Sequence, residues 1–160
     1  MKQAPLQLAD YWAVSTHVDA NPAFKNEEPV SLSFDSIKVR HGIKQLESEQ
    51  PKNDGTRWLV DLTVEQGIGD GGNVPYSFTL KMQGIVLAHP DLPEDRLTRV
   101  VSVNGTTMLF GAAREVIRAA TGRGPFPAVI IPSTNFLDED TPKPAKKAAK
   151  KKAARKSVKP

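Results

Sequence analysis

Cysteine is absent from the 160 residues, which removes disulfides, thiolate metal ligands and a thiol nucleophile together. Long apolar runs are missing too, and none approaches the roughly 20 residues that a membrane-spanning helix needs. The opening Met1-Lys2-Gln3-Ala4-Pro5-Leu6 lacks the apolar stretch of a secretory signal. A soluble, cytoplasmic protein is the expectation. Histidines are few: His17, His41 and His89 share no ligand spacing such as HExxH, so neither a metal site nor a cofactor is expected. A GxSxG elbow is lacking. The Gly67–Asn73 run has no following Lys-Ser/Thr and reads as a hairpin turn rather than a phosphate cradle. The paired carboxylates Glu27-Glu28 and Glu94-Asp95 have no nucleophile beside them. The sequence points away from an enzyme.

Acid is missing from one region altogether. Residues 143–160 hold nine Lys/Arg and no Asp or Glu, whereas residues 1–142 hold 13 basic and all 18 acidic residues, a net charge of −5 beside a tail of +9. The tail, largely Lys and Ala, has Val158 as its one large aliphatic residue. It cannot bury enough surface to offset about 1–2 kcal/mol of backbone ordering per residue, so disorder is expected there. The boundary falls in Asp138-Glu139-Asp140-Thr141-Pro142, giving a body of 1–142 and a basic tail of 143–160.

The body pairs a strand-rich front with one strong helix. Near-alternation along Leu6, Leu8, Asp10, Trp12, Val14, Thr16 and Val18 suggests a half-buried strand ending at Asn21-Pro22. A second strand is read from Val30, Leu32 and Phe34, then Ile37, Val39 and Ile43 on the other parity, with a bulge or break near Asp35-Ser36. Trp58, Val60, Leu62 and Val64 mark a third strand, and Val74, Tyr76, Phe78, Leu80, Met82 and Val86 a fourth. Polar and Gly-rich turns at 47–56 and 67–73 join them, so an antiparallel sheet with one apolar face is expected. After a loop from His89 to Arg99, Leu109, Ala112, Ala113, Val116, Ile117 and Ala120 trace a full helical stripe. Thr106 or Thr107 is read as its N-cap and Gly122 or Gly124 as its end, with Arg114 and Arg118 on the outer face. Pro125, Pro127 and Pro132 then enforce an extended segment. The fold class is α+β, a four-stranded antiparallel sheet followed by one main amphipathic helix and a basic tail.

The last third carries a resemblance. Leu109-Phe110-Gly111-Ala112-Ala113-Arg114-Glu115-Val116-Ile117, then Gly122-Arg123-Gly124-Pro125-Phe126-Pro127, then Ile131-Pro132-Ser133-Thr134-Asn135-Phe136 resembles SecB, the bacterial protein-export chaperone family. That family pairs an "LFxxAREVI" helix with a "GxFPxxxxxPxNF" segment. Gln83-Gly84-Ile85 adds weaker support, and the similarity extends over about Leu6–Phe136. Gly111 stands where the family commonly has Pro. The basic tail replaces the family's second helix and acidic tail.

The resemblance implies an ATP-independent holding chaperone, a homotetramer built as a dimer of dimers, that binds unfolded or precursor polypeptides through exposed apolar grooves. Its clients would be destined for export or be a dedicated toxin–antitoxin partner. Candidate client contacts are Trp12, Phe24, Leu87 and Leu92. For docking of the translocase motor SecA, Asp19 is the candidate, since Ser15 and Thr79 occupy places that are usually acidic. The rival is a basic-tailed adaptor binding nucleic acid or anionic membrane through Lys146, Lys147, Lys150, Lys151, Lys152, Arg155 and Lys156. Such binding would be non-specific, because the tail has no aromatic residue to stack on bases.

Overall fold

The computed structural model describes residues 4–32, 34–47, 55–68, 72–134 and 136. The tail and its seven named cations lie outside the described residues, as does Asn135. Four strands, β1 (Leu6–Ala20), β2 (Ile37–Leu46), β3 (Thr56–Gln66) and β4 (Tyr76–Ala88), precede a helical region of α1 (Glu94–Val100) and α2 (Thr106–Thr121). All neighbours are antiparallel, in the order β1-β4-β3-β2. The chain therefore crosses from one edge of the sheet to the other between β1 and β2, and only β2–β3 and β3–β4 are hairpin neighbours.

Strands β3 and β4 show why this sheet is one layer with one covered face. Trp58, Val60, Leu62 and Val64 on β3, and Tyr76, Phe78, Leu80, Met82 and Val86 on β4, are buried, while their odd-numbered neighbours are half-buried or exposed. The period of two puts the buried set beneath the helix. Leu109, Phe110, Ala113 and Ile117 of α2 close over it. With about 25 cal/mol gained per Å² of apolar surface buried, this sandwich is the main source of stability.

Gly84 and Gly105 let the layers approach. A Cβ on Gly84 would sit 2.9 Å from Leu8 Cδ1 and 3.1 Å from Leu109 Cδ1; one on Gly105 would sit 3.2 Å from Val86 Cγ2 and 3.3 Å from Val60 Cγ2. Gly55, just before β3, has φ of 73°, and a Cβ there would lie 2.0 Å from the Ala88 carbonyl oxygen. That position requires glycine on both conformational and steric grounds.

Several sequence expectations need correcting. The second strand begins at Ile37, not Val30, because a 3₁₀ turn over Phe34–Ser36 makes the break that the parity switch announced. The loop after β4 ends at Pro93: α1 starts at Glu94, and a π-helical turn over Val101–Gly105 joins it to α2 without interruption. Thr106 and Thr107 are therefore interior residues, not N-caps. Thr107 Oγ1 donates to the Val103 carbonyl at 2.7 Å, while Thr106 Oγ1 is buried without a partner. Gly122 does close α2, its N–H donating to the Arg118 carbonyl at 2.9 Å. Arg114 is half-buried rather than on the outer face, its Nε donating to the Ile131 carbonyl at 2.7 Å. Arg118 does reach Glu115, at 3.1 Å.

Two asparagines fix the crossing connection. Asn21 donates from Nδ2 to the Val74 carbonyl at 2.8 Å and accepts the Ala23 N–H at 3.0 Å. Asn73 accepts the Lys25 N–H at 3.0 Å and donates to the Lys25 and Glu28 carbonyls at 2.8 and 3.1 Å. Between them they satisfy backbone groups that no ladder reaches. Within this connection the Lys25 ammonium is held above its ordinary pKa by its hydrogen bond to Glu28.

Candidate functional site

Strand β1 differs from its neighbours. Its ladder with β4 shifts register between Leu8 and Asp10 and again between Ala13 and Ser15. Each shift inserts one extra residue and so exchanges the faces. Trp12 lies opposite Gln83 and shares its uncovered face, whereas Tyr11 and Ala13 lie opposite Gly84 and Met82 on the helix side. Most of β1 is exposed, including Tyr11 at 49%, Trp12 at 40% and Val14 at 55%. The expected half-buried strand is thus an edge strand with a row of unburied apolar side chains. Unpaired edges of this length normally acquire a covering element or a partner.

A cleft of about 500 Å³ opens at the end of the sheet marked by Ala88 and Thr56, on the helix side. Trp58, Leu92 and Leu97 give it apolar walls; Gln45, His89, Glu94 and Thr98 supply polar groups. Its position follows from local chemistry. The His89 N–H donates to the Pro5 carbonyl at 2.9 Å, tying the end of β4 to the start of β1, and the Leu92 N–H closes a turn onto the His89 carbonyl at 3.0 Å. Pro93 then starts α1, leaving Leu92 on the rim. The lining thus mixes apolar walls with a few polar groups.

The opposite end carries an aromatic cluster. Phe24 packs on Phe126 with centroids 5.0 Å apart, and Phe126 on Tyr76 at 5.9 Å. Tyr76 Oη donates to the Phe126 carbonyl at 2.9 Å and accepts the Phe126 N–H at 2.8 Å. The Pro-rich segment is pinned further by Thr121 Oγ1, which accepts the Val129 N–H at 3.0 Å. Phe136 docks between His41 and Phe110, with centroids 5.5 and 5.6 Å away.

The four named client candidates therefore do not converge. Leu92 lines the cleft, Phe24 sits half-buried at the far end, and Leu87 and Trp12 lie on the uncovered face of β4 and β1. Asp19 is exposed at the end of β1, its Oδ2 2.8 Å from His17 Nε2. Ser15 lies opposite Lys81 and Thr79 opposite His17. Sequence reasoning missed Tyr11 and Val14 as exposed edge residues, because the bulges are silent in the apolar pattern. It also missed Leu97, whose helix was read as a loop. Pro93 followed by Glu94-Asp95 was the available signal for that helix.

The sheet is thus covered on one face by a late helical region, and its β1 edge carries exposed apolar side chains. Residues 32–138 match the family described as preprotein translocase subunit SecB, and the chain belongs to the SecB family. It is 29% identical over 93 residues to the protein-export protein SecB of Thioalkalivibrio sulfidiphilus, covering 58% of this chain and 55% of that one. To SecB of Psychrobacter arcticus it is 31% identical over 91 residues, covering 57% and 61%. The aligned region thus spans under two thirds of these curated relatives. Among solved structures, a Mycobacterium tuberculosis SecB-like chaperone in complex with a peptide from an antitoxin superposes with a TM-score of 0.51 at 14% identity, covering 82% of this chain and 91% of that chain. At that identity the likeness is one of fold. The α+β reading and the SecB resemblance both hold.

Proposed function

We propose that this chain is a holding chaperone that binds unfolded or precursor polypeptides without nucleotide, for export or for a dedicated client. Family membership over residues 32–138 carries the reading. That stretch contains every residue of the cleft at Trp58, Leu92 and Leu97. The structural neighbour's own complex with a peptide supports it. Strand β4, at about 3.3 Å per residue, puts the cleft and the Phe24–Phe126 cluster about 40 Å apart. An extended client of about 12 residues spans that length, its side chains filling shallow pockets while its backbone remains free to hydrogen-bond. Leu92 and Phe24 are the contacts at the two ends, with Trp12 and Leu87 taking segments that pass over the edge of the sheet. The exposed row on β1 supports a homo-oligomer, a tetramer built as a dimer of dimers, in which a second subunit covers that edge. Docking of SecA would rest on Asp19, whose carboxylate is already shared with His17.

The test is aggregation suppression by the full chain, with an unfolded, aggregation-prone protein diluted into nucleotide-free buffer. Light scattering should fall in proportion to added chain, and Leu92→Asp should weaken the effect. Unchanged scattering at a molar excess refutes the proposal. The nine cations of 143–160 favour a second reading, non-specific binding of nucleic acid or anionic membrane through the tail. Its mark would be an affinity for DNA or anionic vesicles that collapses with salt.

A further inference from the structure

The face of the sheet turned away from α2 is a ledger of side chains in register. One row across the strands reads Leu46, Arg57, Leu87, Gln7; the next reads Lys44, Leu59, Ile85, Asp10. Leu46, Leu59, Ile85 and Leu87 thus form a contiguous apolar quartet, every member half-buried. Beyond it the face turns polar: Arg40 pairs with Glu65 at 2.6 Å, and Asp61 accepts from Gln83 Nε2 at 2.7 Å. The cations beside the quartet are different. No described residue gives Lys44 or Arg57 an ionic partner. Asp10, the acid bordering the quartet, accepts its neighbour's N–H, from Tyr11 at 2.8 Å.

We infer that this quartet and its flanking cations form a docking surface for an acidic amphipathic helix of a partner protein, one presenting Leu- or Ile-type side chains flanked by carboxylates. A helix is one of the elements against which a sheet buries an apolar face. Carboxylates beside the leucines would meet Lys44 and Arg57 as the apolar side chains seat, and complementary charge sets register and selects the partner. A basic helix would set like charge against both cations. This surface lies on the other side of the sheet from the cleft and shares only Leu87 with the client contacts proposed above, so the inference goes beyond the chaperone reading, and its test, which changes neither Leu87 nor the cleft, is read separately from it.

The test uses the full chain and a labelled 18-residue helical peptide with Leu at i, i+3, i+4 and i+7 positions and Glu flanking them. Anisotropy titration at 150 mM salt should show saturable binding. The double substitution Lys44→Glu/Arg57→Glu should weaken it by about tenfold or more, which is about 1.4 kcal/mol. Leu→Ser peptides and Lys-flanked peptides should bind far more weakly. A chain with Lys146, Lys147, Lys150, Lys151 and Lys152 changed to Gln should keep the affinity within about threefold, a change of under 1 kcal/mol. No binding of the Glu-flanked peptide, equal binding of the Leu→Ser peptide, retention by the double variant, or loss in the tail variant each overturns the proposal. So does a change of oligomeric state in the double variant, which would make the face a contact between copies. Aggregation suppression should survive the double substitution.

Discussion

Tyr76→Phe tests whether the Pro-rich segment is held by one hydroxyl. Oη both donates to and accepts from the backbone of Phe126, at 2.9 and 2.8 Å, from a ring that is 2% exposed. Removing it deletes two hydrogen bonds, each contributing about 1 kcal/mol net. It also leaves an N–H and a carbonyl in a half-buried place, so part of the penalty of about 1–3 kcal/mol per orphaned group is added. The ring stays, so no packing is lost. The expected loss is about 2–3 kcal/mol, a large share of the 5–15 kcal/mol that a domain usually has. Urea unfolding followed by tryptophan fluorescence should show a lower midpoint at unchanged m-value, and the melting temperature should drop by about 4–10 °C. Hydrogen exchange at the Phe126 amide should accelerate beyond that at β4. A loss under about 0.5 kcal/mol, within the range of an ordinary surface substitution, would refute the reasoning.

Two glycines on one helical region should respond in opposite directions. Gly111→Ala meets nothing within 4 Å and should stabilise by about 0.5–1 kcal/mol through helix propensity. Gly105→Ala presses on Val60 and Val86 and should destabilise by about 1–3 kcal/mol, both read by thermal melting. Thr106→Val removes a buried hydroxyl that has no hydrogen-bond partner. It should raise stability by about 1 kcal/mol, and a loss would mean that the hydroxyl is satisfied in solution.

Strands β3 and β4 were legible because each alternates cleanly against a helix supplied by the same chain. Strand β1 was legible as a strand and illegible in its facing. Two bulges change its parity, and no described residue buries its middle, so Val14, placed on the apolar side of the alternation, lies exposed, as do Trp12 and Tyr11. The start of the helical region was hidden by the π turn: its extra residue breaks the 3.6 period between Val101 and Thr106, so the stripe becomes recognisable only from Leu109. The resemblance at 109–136 was legible because its motif residues lie close together in the sequence, although the segment packs partly on distant strands. Arg114, Thr121 and Tyr76 bind the segment that follows α2. The candidate cleft was only partly so. Leu92 was named, and Trp58, buried as its alternation indicates, also forms a wall of the cleft, which the alternation alone does not reveal.

The strand order β1-β4-β3-β2 also sets a timetable for folding. Strands β2, β3 and β4 are consecutive neighbours and can close by short turns, whereas Leu6 must find Ala88 and Ala20 must find Tyr76 across the whole of the intervening sheet. Such distant pairings cost more chain entropy before any contact repays it. The hairpins and the helix over them are therefore expected to assemble first, with β1 zipping on last. Were β1 to peel away, it would bare the edge of β4 and uncover Leu8 and Val18, on the face opposite to Trp12. A protein whose last-formed strand is also its most apolar exposed one can vary the surface it offers by breathing at a single edge, with its core undisturbed.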